Sequence, residues 1–142
     1  MKFLHILLTC LFVAVLYCDD TFEYNEGIII TDDSNFEIAR QTYKRLLVNF
    51  DGGCKWCRNF RPSYLAACKQ GTDEGYEVKF AQLDLKSNPK TQTKYNVTGH
   101  PKQWLFVLND RRSPYKYPGS KNKDKLLAWL KQKIEDVKAR GY

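Results

Sequence analysis

The chain has 142 residues, 43% of them hydrophobic and 14% aromatic, which fits one domain with a full core and excludes a disordered chain. Its formal net charge is +7, but the basic residues scatter over positions 40–140 without an aromatic-interleaved recognition motif, so nucleic acid is not an expected partner. Five cysteines, unevenly placed, do not make a disulfide-stapled miniprotein.

The first segment reads as a leader. Met1 and Lys2 give a positive start, residues 3–17 are almost all apolar, and Asp19-Asp20 opens the polar chain. This predicts a signal peptide over residues 1–18, an N-terminal extension over 19–26 and one domain over 27–142. The apolar run is shorter than the roughly 20 residues of a membrane span, so no membrane association is expected after cleavage. Cleavage removes Cys10 and Cys18 and leaves Cys54, Cys57 and Cys68.

Gly27-Ile28-Ile29-Ile30 predicts a short strand. Ser34-Asn35-Phe36-Glu37 matches a capping box, so a helix should follow to about residue 43. Leu46-Leu47-Val48-Asn49-Phe50 is a nearly all-apolar strand, the kind covered on both faces in a parallel pair. Asp51-Gly52-Gly53 breaks it. A helix is expected over about 54–69, with Cys57, Phe60, Tyr64 and Cys68 on one face and a kink at Pro62. A loop is expected over 71–75, then a strand over 76–85 whose facing is ambiguous. Ser87-Asn88-Pro89 starts a further helix, with proline where its missing amide costs nothing. Residues 103–108 and 115–117 predict opposed strands, and 122–138 a closing helix with Leu126, Leu127, Leu130, Ile134 and Val137 on one side. The order β-α-β-α-β-α-β-β-α implies an α/β architecture: a mixed central sheet flanked by helices on both faces.

The Cys-x-x-Cys lies where a central strand turns into a helix. It allows a working redox pair, a structural disulfide or half of a metal site. Cysteines three apart at a helix start fall within disulfide range. Cys68 lies about 16 Å further along at 1.5 Å per residue, so it cannot join them and reads as a buried structural thiol. Favourable dipole effects at a helix N-terminus reach about 1–2 kcal/mol, roughly one pKa unit for Cys54. Lys55 and Arg58 act in the same direction, weakly. Thiolate is the species that attacks disulfides, and Cys57, one turn in, is placed to resolve the adduct. A metal centre needs four ligands, or three and a water. Beyond the pair the mature chain offers only the distant Cys68 and the single histidine His100, so no metal is expected. No cofactor is expected either.

Several segments together carry a family resemblance over about residues 27–135. They are Leu-Leu-Val-Asn-Phe before the pair, Cys54-Lys-Trp-Cys57, Arg61-Pro62-Ser-Tyr64, Phe80-Ala-Gln-Leu-Asp84, Tyr95-Asn-Val-Thr-Gly-His-Pro101 and the closing Leu-Leu-Ala-Trp-Leu helix. The chain resembles a thioredoxin-fold protein, and most a single catalytic-type domain of the protein disulfide isomerase family. The resemblance implies a thioredoxin fold and a thiol–disulfide oxidoreductase or isomerase acting on cysteine-containing proteins or peptides. It makes Cys54 and Cys57 catalytic and Pro101 a cis-proline packed against them. The His100 backbone would then hold extended substrate. A monomer is expected.

The departures from the family pattern are specific. Gly53 stands where tryptophan precedes the first cysteine, and Trp56 replaces the histidine between the cysteines. Asn49 replaces a buried acid, for which Asp51 is a possible substitute, and Thr98 replaces an arginine. Trp56 is either a substrate-facing contact or packing. These departures keep a second reading open, a redox-inactive substrate-binding or chaperone module. Asn96-Val-Thr98 is a glycosylation sequon. The chain closes in Ala-Arg-Gly-Tyr without a Lys-Asp-Glu-Leu-type tail, so the expected location is the endoplasmic reticulum lumen or the secreted state.

Overall fold

A computed structural model describes residues 22–142. The leader expected over residues 1–18 lies outside them. Six strands form one sheet: β1 (Glu23–Asn25), β2 (Ile28–Thr31), β3 (Arg45–Asp51), β4 (Lys79–Asp84), β5 (Lys102–Val107) and β6 (Tyr115–Lys116). The helices are α1 (Phe36–Thr42), α2 (Lys55–Asp73), α3 (Pro89–Tyr95) and α4 (Lys123–Ala139). The sheet order is β1-β2-β4-β3-β5-β6. β4 runs parallel to both β2 and β3, whereas β5 is antiparallel to β3 and to β6. This is the mixed sheet the sequence implies.

Two apolar layers cover the sheet. One joins Leu47, Phe60, Tyr64, Phe80 and Leu105 to the α4 residues Leu126, Leu127, Leu130, Ile134 and Val137. The other joins Ile29, Phe36, Leu46, Val48, Phe50, Ala81, Leu83, Trp104 and Phe106. Leu47 thus faces one layer and its neighbours Leu46 and Val48 the other, because successive strand side chains point to opposite faces. Every residue of β3 is buried, so its apolar run needs cover on both sides. The facing of β4 follows the same rule: Phe80 enters the first layer, Ala81 and Leu83 the second.

Three local expectations need correction. Glu23–Asn25, assigned to an extension, forms β1 against β2. Its side chains are all exposed, so no apolar pattern marks it. The capping box does not form: the N-cap of α1 is Asn35, without a side-chain bond to the helix. Asp32 organises that turn instead, accepting the amides of Ser34 at 2.8 Å and Asn35 at 3.0 Å. Glu37 is drawn away to Arg40, Lys94 and Tyr95. Finally, α2 runs on through Gly71 to Asp73. A Cβ on Gly71 would lie 2.8 Å from the Phe80 ring, so glycine marks close packing there, not a loop.

Candidate functional site

β3 ends at the buried Asp51, and Gly52-Gly53 carries the chain to Cys54, the N-cap of α2. Gly53 has φ +71°, a left-handed conformation that favours glycine. Asp51 fixes the turn by accepting the Gly53 amide at 2.7 Å. Its other oxygen accepts Arg61 Nη2 at 2.6 Å and Nε at 3.1 Å. The carboxylate is therefore occupied by an ion pair from the second turn of α2 and a loop amide. It does not stand free as the proton acceptor that the sequence left open. Asn49 is likewise engaged: its oxygen accepts Gln103 Nε2 at 2.8 Å, and Gln103 in turn accepts Lys121 Nζ at 2.9 Å.

Cys54 and Cys57 form a disulfide with Cα atoms 5.0 Å apart. Cys54 Sγ accepts the Cys57 amide at 3.0 Å, a direct view of a sulfur meeting the free amides of a helix start. Cys57 is buried at 1% exposure, and its sulfur accepts the Gly52 amide at 3.4 Å. The two sulfurs thus differ: Cys54 is half-exposed and leads, Cys57 is enclosed behind it. Cys68 is a free thiol buried in the first apolar layer, where desolvation pushes its pKa up to about 12.

The loop after α3 returns to the pair. His100-Pro101 is a cis peptide, and Pro101 is buried. The His100 carbonyl oxygen lies 3.8 Å from Cys54 Sγ, and His100 Nδ1 lies 3.4 Å from Cys57 Sγ. Gly52 makes room for that ring, since a Cβ there would fall 2.4 Å from His100 Cδ2. The sequence pointed to the His100 backbone and missed its imidazole. A lone histidine next to the proline, in a chain with none between its cysteines, was the available signal. The structure brings the single histidine of the expected mature chain to the pair: the ligand atoms of Cys54, Cys57 and His100 all lie within 4.8 Å of one another. Trp56 is 72% exposed beside the pair, so it is not packing. Asn96 and Thr98 are exposed, Asn96 ending α3 in a left-handed conformation with φ 51°. Ser113-Pro114 is a second cis peptide, away from the pair in sequence and not foreseen.

A Cys-x-x-Cys disulfide at the start of a long helix, faced by a cis-proline loop on a mixed sheet, is an arrangement of thioredoxin type. The thioredoxin family model matches residues 27–132, and the chain belongs to that family. It is similar to the protein disulfide-isomerase of Gallus gallus, 30% identical over 89% of this chain and 24% of the relative. The protein disulfide-isomerase of Oryctolagus cuniculus is 28% identical over 78% of the chain and 22% of the relative. The chain therefore spans about a quarter of the length of these curated relatives. Among solved structures, the first thioredoxin domain of mouse protein disulfide-isomerase A4 superposes with a TM-score of 0.71. It covers 82% of both chains at 20% identity, a likeness of fold.

Proposed function

We propose that this domain is a secretory-pathway thiol–disulfide oxidoreductase acting on protein cysteines. One observation carries the reading: the Cys54–Cys57 disulfide sits with Cys54 as the amide-facing N-cap and Cys57 enclosed one turn behind. In the reducing direction, the Cys54 thiolate attacks a substrate disulfide and releases one substrate thiolate. A mixed disulfide joins Cys54 to the other substrate sulfur. Cys57 then loses its proton and attacks Cys54 Sγ, the substrate leaves as a thiolate that takes up a proton, and the disulfide seen here is formed. The oxidising direction is the reverse, with a substrate dithiol as reductant.

His100 Nδ1 lies 3.4 Å from Cys57 Sγ and is placed to take its proton. Histidine suits that task because the unprotonated nitrogen of an imidazole accepts a proton. It would replace both the histidine absent between the cysteines and the acid absent at Asn49. The His100 backbone and Pro101 offer an edge for an extended substrate segment, and the exposed Trp56 an apolar contact beside it. A glycan on Asn96, four residues before His100, would stand on the same loop. Isomerase activity is the finer claim, and scrambled-protein refolding measures it. The pattern of residues 1–18 supports a location in the endoplasmic reticulum lumen or outside the cell.

The exposure of Trp56 also favours a second reading, a binding or chaperone module. Insulin disulfide reduction separates the two. The native protein should be active and Cys54→Ser inactive, while Cys57→Ser should accumulate mixed disulfides on Cys54. Equal activity in native and Cys54→Ser protein, with no trapped adducts, would leave only the binding module.

A further inference from the structure

We propose that the reduced protein binds one divalent ion of the zinc class through Cys54 Sγ, Cys57 Sγ and His100 Nδ1. The inference uses the cysteine pair already described and requires that the pair be reducible, as the functional reading does. The starting observation is spatial. Two sulfurs and an imidazole nitrogen, drawn from the β3–α2 turn and from a loop more than 40 residues away, converge within 4.8 Å. Tetrahedral zinc with Zn–S near 2.3 Å and Zn–N near 2.0–2.1 Å needs S···S of about 3.8 Å and S···N of about 3.6 Å. The Cys57 Sγ to His100 Nδ1 distance is already 3.4 Å. Opening the disulfide lets the sulfurs separate to the other required distance while their backbones stay in place.

The surroundings suit thiolate ligands. The Gly52 amide donates to Cys57 Sγ, and the Cys57 amide to Cys54 Sγ. Such N–H···S bonds hold thiolate ligands in orientation. Gly52, lacking a side chain, leaves the space that the His100 ring occupies. Cys54 is half-exposed and His100 exposed, so the fourth position opens to solvent, where a water or a substrate thiolate completes the set. Arg58 Nη1, bound to the Gly53 carbonyl at 2.8 Å, Lys86, beside Gly53, and Lys55, next to Cys54, are cations nearby. Two thiolates cancel the charge of the dication, which removes most of the repulsion.

The chemistry balances. A dithiol reductant delivers two electrons and two protons to the disulfide, becoming a disulfide itself and leaving two thiols. The metal then displaces both thiol protons to solvent, and neutral imidazole supplies a lone pair. Metal and disulfide are mutually exclusive states of one site. Metal loading therefore holds the pair reduced and blocks exchange until a chelator removes the ion.

Cobalt(II) titration of protein reduced with a phosphine, under exclusion of air, tests this. One equivalent should bind, with sulfur-to-cobalt charge-transfer absorption and the strong visible bands of a four-coordinate site, and zinc(II) should displace it. The oxidised protein should show neither. His100→Ala should weaken zinc binding at least about tenfold and change the visible bands. His100→Gln serves if circular dichroism shows the alanine variant unfolded. Cys68→Ser should bind as the native protein does. Absence of binding by reduced protein, an unchanged spectrum and affinity in the folded His100 variant, or loss of the site in folded Cys68→Ser would each overturn the proposal. Insulin reduction, measured on the same samples with chelator, keeps the two readings apart. Exchange without metal binding removes only the metal site, and metal binding without exchange removes only the oxidoreductase.

Discussion

Gly52 and His100 are in close apposition: a Cβ on Gly52 would lie 2.4 Å from His100 Cδ2 and 2.7 Å from Nδ1. The ring is seated on a surface with no side chain, and that seat aims Nδ1 at Cys57 Sγ. Gly52→Ala should therefore push the imidazole away from the sulfur without touching either cysteine. A displacement near 1 Å at a reacting group costs up to about a hundredfold in rate. We expect insulin reduction to fall roughly ten- to a hundredfold, with the Cys54–Cys57 disulfide still forming. Unchanged turnover in the variant would show that His100 takes no part in the exchange.

Trp56 tests the substrate face. At 72% exposure it contributes little to the core, so Trp56→Ala should alter unfolding free energy by no more than about 0.5 kcal/mol. Peptide affinity should fall severalfold, because the indole is a large apolar surface beside the pair. Chemical denaturation and peptide titration by fluorescence anisotropy measure the two effects. A large stability loss would mean that the ring packs after all.

The parts of this fold legible in the sequence are those set by local pattern. The apolar run of β3, the single face of α4 and the proline at the start of α3 each state their structure within a few residues. Cys54 at the helix start follows from the glycines before it. What stayed hidden depends on distant partners or on none. β1 carries three exposed side chains and is recognisable only by its pairing with β2. Gly71 reads as a break until Phe80 is seen against it. His100 reads as a loop residue until the fold brings its ring to a cysteine 43 residues earlier. Ser34 and Glu37 satisfy a local motif, yet Asp32 and Tyr95 capture them first.

Gln103 bridges two polar side chains, Asn49 and Lys121. It is fully buried, donates to Asn49 Oδ1 and accepts from Lys121. Gln103→Leu should cost about 1–3 kcal/mol, the penalty for leaving a buried polar atom unsatisfied. Combining it with Asn49→Leu should recover part of that loss, since two matched apolar groups leave no orphan at Asn49. Urea unfolding of the single and double variants measures this. A double variant that loses the sum of both singles would show that packing, not hydrogen bonding, sets the cost.

Cys68 should be silent in native chemistry. Burial raises its thiol to about 12, so almost no thiolate exists at neutral pH. After reduction, iodoacetamide at pH 8 should label the half-exposed Cys54 and leave Cys68 unmodified until denaturant is added. Peptide mapping by mass spectrometry reads the result. Labelling of Cys68 in the folded protein at the rate of Cys54 would show that α2 opens locally.

Asp110 ties the turn after β5 to the end of α4, and its effect should depend on pH. Burial alone would raise its pKa. Hydrogen bonds from Arg140, Tyr115 and the Arg112 amide outweigh that and hold it at about 2, below the ordinary 3.8. A carboxylate depressed on folding stabilises the protein above its unfolded pKa and loses that effect as pH falls through its folded pKa. The window is therefore acidic: the contribution should be half lost by about pH 3 and mostly gone by about pH 2. Asp110→Asn should lower stability at pH 7 by about 1 kcal/mol, a modest figure because Arg140 is part-exposed and screened. The gap between native and variant should close on acidification. Denaturant unfolding at pH 7 and pH 2 checks it, and a gap of the same size at both pH values would mean that the asparagine disturbs packing and not charge.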